Sequence, residues 1–262
     1  MGLRRNVWAG IPATKLGPVS QDEKLSTAVG HENGAAGFVQ AAPSSGGERS
    51  DTRSDDTAAR HAVGVGPWEG DWPEDPRYDR ELLANGDRRN VLDEFRYWSM
   101  DAIVAELDAR RHPFHVAIEN WQHDMNIGTV VRTANAFNAT QVHIVGKRRW
   151  NKRGAMVTDR YLHVRHHETV EEFAAWAAAE GLPVLGIDIF PDSVPLETYD
   201  LPKRCVMVFG QEGPGLSEEM RQAAEATLSI AQYGSTRSIN AASAAAVAMH
   251  AWIRRWEFGQ RV

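Results

Sequence analysis

A chain of 262 residues with 42% hydrophobic content can hold one large domain, or one domain plus extensions. Its formal net charge of −6 means that any nucleic-acid contact must come from a local basic patch and not from the overall field. A single cysteine, Cys205, excludes an intrachain disulfide, and no apolar run approaches the roughly 18 residues of a membrane span.

The opening residues MGLRRNVW carry two arginines without an apolar stretch of signal-peptide length behind them. Asn6 stands where a myristoylation signal wants Ser or Thr, so the expected setting is cytoplasmic. Residues 1–66 lack sustained periodicity, and 41–62 are built of small and charged residues that cannot bury enough apolar surface to offset ordering entropy. A disordered arm is expected there. Residues 67–112 form a second segment: an acidic, aromatic lead-in, a short helix over 91–97, and a helix capped by Ser99 with the stripe Met100, Ile103, Val104 and Leu107.

From residue 113 to 262 the pattern alternates. A strand over 115–119 leads to a helix with Ile127, Val130, Val131, Ala134 and Phe137 on one face, then to a strand over 141–146. Asn126 stands at the helix start as a candidate cap, and Arg132 projects away from the apolar stripe. The run Lys147, Arg148, Arg149, Trp150, Asn151, Lys152, Arg153 follows, five of its seven residues basic. Its cations suit phosphates and its indole suits an unpaired base. A weak strand over 161–165, a helix over 170–179, and strands over 183–189 and 204–209 come next. A helix over 217–226, a strand over 227–230 and a last helix over 238–256 complete the chain. That last helix carries the stripe Ile239, Ala242, Ala246, Met249, Ile253, Trp256, which suits core packing and a subunit interface equally well. The alternation predicts an α/β fold with a mostly parallel sheet and helices on both faces.

Polar clusters follow three of these strands. The first is Asn126 with Arg132. The second is the glycine-rich turn 210–216, GQEGPGL, which lacks the Lys-Ser/Thr of a P-loop and the GxGxxG of dinucleotide sites. The third, 230–240, ends on Ser238, a natural cap, and Asn240. No histidine or cysteine spacing suggests a metal site, and no G-x-S-x-G elbow is present.

In this order and on these elements, the three clusters resemble the motifs of the SpoU-type (TrmH-like) branch of the SPOUT RNA methyltransferases. NIGTVVRTANAF (126–137) corresponds to the first motif, FGQEGPGLS (209–217) to the second, and 230–240 running into an alanine-rich helix to the third. Ala231, Gln232 and Tyr233 depart from the family's third motif, and Asn135 and Asn138 from its first. The resemblance implies a deep trefoil knot near the carboxyl end, an obligate homodimer, S-adenosylmethionine as methyl donor, and a 2′-O-methylated ribose in tRNA or rRNA. By position it assigns cofactor contacts to Ile187, Gly210, Ile230 and Ile239. It assigns activation of the 2′-hydroxyl to Arg132, and its arrangement to Asn126, Glu212, Ser238 and Asn240. Two alternatives stand beside it: a catalytically silent RNA-binding or assembly protein of the same fold, and an α/β enzyme acting on a small nucleotide.

Overall fold

The computed structural model describes residues 64–121 and 126–260, so the expected disorder of 1–66 lies almost wholly outside the described residues. The segment before the sheet contains α1 (Arg80–Asn85), a 3-10 turn (Asp93–Phe95) and α2 (Met100–Asp108). The sequence predicts a full helix over 91–97. Only the 3-10 turn forms, because Tyr97 takes a left-handed φ of 62° that ends any helical run. Buried Asp87 holds that bend: its carboxylate accepts from the backbone N–H groups of Arg89 and Tyr97 and from the Arg89 guanidinium. Burial alone would raise the Asp87 pKa, but these bonds outweigh it and bring it down to about 2.

Then come β1 (His112–Asn120), α3 (Asn126–Ala136), β2 (Ala139–Gly146), β3 (Val164–His167), α4 (Val170–Ala179), β4 (Val184–Ile187) and β5 (Val194–Pro195). The chain continues through β6 (Cys205–Phe209), α5 (Glu218–Ala223), β7 (Ala226–Ser229) and α6 (Ala241–Trp256). The sheet has the order β3-β2-β1-β6-β4-β7-β5, and every pairing is parallel. Parallel strands covered on both faces need continuous apolar runs, and Cys205–Phe209 is buried throughout.

Strand alternation assigns the two faces. Phe114, Val116 and Ile118 of β1 face α3 and α6, packing with Ile127, Val131, Met249 and Trp252. Ala117 faces α4 and α5 with Phe173, Val208 and Met220. On this second face three imidazoles cross neighbouring strands. Nδ1 of His115 lies 3.1 Å from Nε2 of His143, and Nδ1 of His143 lies 3.0 Å from Nε2 of His167. Trp176 of α4 tiles all three rings. Burial first, and neighbouring cations second, lower the pKa of His115 to about 4 and of His143 to about 2. His166 and His167, adjacent on extended backbone, point apart: His166 contacts the Gly146 carbonyl while His167 is buried.

In α6 the buried residues are Ala242, Ala245, Ala248, Met249, Trp252 and Ile253. The predicted stripe is therefore corrected at Ala246 and Ile239. A helix lying across a wide sheet buries a broader arc than a two-helix seam, and Ile239 precedes the helix and is exposed.

Candidate active site

The carboxyl ends of β4, β6 and β7 meet around a cavity of about 270 Å³. Ligand sites of open α/β sheets lie at this edge, where the strand order reverses. Ile187, Gly210, Ile230 and Ile239 all line it, together with Glu212, Ser238 and Asn240. Sequence positions spread over more than fifty residues are thus gathered around one hollow by the ends of adjacent strands.

The wall formed by 210–216 is a closed loop. Gln211 and Gly215 exchange backbone hydrogen bonds of 3.1 Å in both directions. A Cβ on Gly210 would overlap the backbone of Gly215 and Leu216, so this crossing requires glycine. The Asp188 carboxylate accepts from the Leu216 N–H at 2.8 Å and braces the loop from β4. From the other side buried Glu119 accepts from the backbone N–H of Ser217 at 2.7 Å, from its hydroxyl at 2.6 Å, and from the Trp121 indole at 2.9 Å. Sequence reasoning passed over Asp188, Glu119 and Gln211. The available signal was a polar residue ending an otherwise apolar buried strand.

Three side chains from distant segments meet beside the cavity. Asn240 is the N-cap of α6: its Oδ1 accepts from the N–H groups of Ala242 at 3.0 Å and Ser243 at 3.3 Å. That bond fixes which way its amide faces, so Nδ2 must point outward, where it donates to Asn126 Oδ1 at 2.9 Å and to Glu212 Oε1 at 3.4 Å. Asn126 Oδ1 being an acceptor, its Nδ2 donates to Glu212 Oε2 at 2.6 Å. The amides are therefore oriented in sequence, from helix cap to carboxylate.

One expectation is corrected here, that of Ser238 as a cap. Asn126 is the first residue of α3, and its side chain is engaged with Glu212 and Asn240. Ser238 lies outside α6, and Asn240 does the capping; Ser238 is exposed on the cavity wall. Arg132 sits six residues along α3 from Asn126, about 9 Å of helical rise, and is exposed.

The basic run follows β2. Lys147, Arg148, Arg149, Lys152 and Arg153 are exposed. Trp150, expected as a stacking platform, is partly buried and packs against the core, with Lys152 Nζ 5.4 Å from its ring centroid. Among the described residues no group of three or more His, Cys, Asp or Glu side chains is arranged to hold a metal.

The profile of the SpoU rRNA Methylase family matches residues 113–250, the whole span that builds the sheet and the cavity. The chain belongs to that family. An uncharacterized tRNA/rRNA methyltransferase of Mycolicibacterium vanbaalenii is 31% identical over 186 residues, covering 66% of this chain and 58% of the relative. This chain therefore spans less than two thirds of that relative. The tRNA (guanosine(18)-2′-O)-methyltransferase of Escherichia coli K12 is 25% identical over 153 residues, 57% of this chain and 67% of its own. The crystal structure of an AdoMet-bound rRNA methyltransferase from Sinorhizobium meliloti shares 26% identity and a TM-score of 0.50, covering 57% of this chain and 60% of that one. The family and the parallel α/β fold agree with the motif reading. Among the described residues no helix is long and apolar enough to cross a membrane.

Proposed function

We propose that this protein transfers a methyl group from S-adenosylmethionine to a ribose 2′-hydroxyl of tRNA or rRNA. The observation that carries this reading is the Asn126–Glu212–Asn240 network, which joins all three motifs beside one cavity. The cavity fits the cofactor: Ile187, Ile230 and Ile239 offer an apolar wall, and Gly210, Gly213 and Gly215 line it with backbone alone. When bound, S-adenosylmethionine supplies an electrophilic methyl group.

The remaining work falls to this chain's side chains. As the ribose oxygen bonds the methyl carbon, the sulfonium–methyl bond breaks and the neutral thioether leaves; the hydroxyl proton passes to solvent water, and negative charge grows on the oxygen before the bond is complete. The Arg132 guanidinium stabilises the developing alkoxide by donating to it. Asn126, Glu212, Asn240 and Ser238 fix the geometry at the cavity mouth, and alignment of hydroxyl and methyl contributes much of the rate. The cations of 147–153 attract RNA phosphates, which an overall net charge of −6 cannot do. The segment 64–111 carries twelve carboxylates against seven arginines, which argues for packing and not for phosphate contact.

The same reading takes over the family's knotted carboxyl end and its homodimer. The exposed stripe Ser243, Val247 and His250 of α6 offers a face for a second copy. It also places the protein in the cytoplasm, with its RNA. The silent RNA-binding alternative is disfavoured because a pure binder has no need of the oriented amide–carboxylate network.

The test is transfer of labelled methyl from S-adenosylmethionine to unmodified bulk tRNA and rRNA. The expected result is label in one class, resistant to alkali at a single linkage as 2′-O-methylation requires. Label that is alkali-labile, or absent from both classes while cofactor binds, would overturn the reading.

A further inference from the structure

Asn120 ends β1 and is fully buried, yet it contributes to neither the cavity nor the motif network. Its neighbour Glu119 turns to the opposite face and braces the glycine-rich loop. Strand alternation therefore sends Asn120 the other way, toward the basic run. There its Nδ2 donates to the Lys147 carbonyl at 2.6 Å and to the Arg149 carbonyl at 3.0 Å, and its own carbonyl accepts from the Lys147 N–H at 2.9 Å. Both carbonyls are drawn toward Asn120, and the side chains of Lys147, Arg148 and Arg149 are exposed.

Further along, the same run is interlocked with α3. A Cβ on Gly154 would lie 2.8 Å from the Thr129 amide nitrogen and 2.9 Å from its hydroxyl. A Cβ on Gly128 would lie 2.7 Å from the Ala155 nitrogen. Backbones approach this closely only with glycine on both sides. Arg132 stands at i+4 from Gly128, one turn along the same helical face. Between the two anchors Trp150 is packed on the core, and Lys152 pairs with Asp159 at 2.8 Å.

We propose that residues 147–155 form a rigid phosphate-binding arm held in register with Arg132, and that Asn120 is the positioning residue that sets this register. The arm is thereby separated from the cofactor wall: Glu119 serves the one and Asn120 the other. This rests on the reading of the site as an RNA methyltransferase. The physical advantage is entropic. A flexible basic loop would lose conformational freedom each time it engaged RNA, whereas a pre-ordered arm does not.

The experiment compares the full-length protein with Asn120→Leu and Gly154→Ala, after melting curves confirm that each variant folds. Asn120→Leu removes the two side-chain bonds at similar volume. Gly154→Ala sets a Cβ against the backbone and hydroxyl of Thr129 and pushes the arm from α3. Steady-state kinetics give KM separately for bulk unmodified tRNA and for S-adenosylmethionine, and fluorescence anisotropy gives tRNA affinity without requiring turnover. The expected result is about a tenfold rise in KM for RNA and a matching loss of affinity, with KM for S-adenosylmethionine within about twofold of the parent. The double variant is expected to be no worse than the weaker single one, since both release the same arm. Equal changes in both KM values would point to general loosening and overturn the proposal. So would folded variants with unchanged RNA affinity. If the parent binds tRNA but transfers no methyl, the functional reading fails, while the anisotropy comparison still decides the arm.

Discussion

Two trios of polar side chains lie within this sheet's reach, and they are built on opposite principles. Asn126, Glu212 and Asn240 come from three distant segments, meet at the carboxyl edge, and are oriented from a helix cap outward. His115, His143 and His167 come from three adjacent strands and are roofed by Trp176 on one flank of the sheet. Burial lowers the pKa of His115 and His143, and neither lines the cavity. A perturbed pKa is a useful pointer to function, but structural burial perturbs equally well. Here it is position beside a cavity that singles out the trio proposed to work.

The sharpest way to break this comparison is Arg132→Ala. Arg132 stands outside both trios and, in the proposed reaction, meets the developing alkoxide. Removing such a stabilising donor costs about 10²- to 10³-fold in kcat. Methyl transfer is expected to fall by that order while calorimetry shows S-adenosylmethionine still bound. Normal turnover would return the chemistry to the trio itself.

A smaller effect is expected from replacing Arg148, Arg149 and Arg153 together by Gln. Three lost phosphate contacts reduce the slope of log affinity against log salt by about two, using roughly 0.7 per contact for single-stranded RNA. Binding measured across a salt series checks it, and an unchanged slope would remove the arm from the RNA interface.

Much of this was legible in the sequence, and the losses have physical reasons. The helix over 170–179 matches α4 because Thr169 caps it and Glu171 and Glu172 favour its first turn. The three motifs were readable because glycine and amide residues at strand ends are local signals. The histidine trio was not, since imidazoles at 115, 143 and 167 become neighbours only once strand register is set. Ser238 and Asn240 are both good caps, and only the helix start at Ala241 decides between them.

The histidine trio makes its own prediction, with a sign that follows from proton linkage. The His143 pKa is about 2 in the folded chain against 6.5 for the free side chain, so between those values the unfolded state binds a proton that the native state refuses. This contribution to stability is complete above pH 6.5 and is lost as pH falls. Each such imidazole adds a slope of about 1.4 kcal/mol per pH unit in that window. Glu172 faces the outer end of the trio at His167, while Arg165 and Arg204 add repulsion. Denaturant melts of His143→Phe should be flatter toward acid by about that amount. An identical acid slope would mean that His143 takes up its proton without unfolding.

The smallest effect separates the two tasks of Asn240. Its Oδ1 caps α6, and its Nδ2 holds Asn126 and Glu212. Asn240→Asp keeps a capping oxygen, and Asp caps helices about as well as Asn, so stability should change by less than about 0.5 kcal/mol from the cap. The same variant loses both amide donors and sets a second carboxylate beside Glu212, so the network should open and methyl transfer should fall. Asn240→Ala loses the cap as well, which costs about 1 kcal/mol. Melting temperature and turnover read side by side on these two variants distinguish the roles. If Asp and Ala lose stability equally, the cap contributes nothing, and the orientation of the amides from helix to carboxylate needs another source.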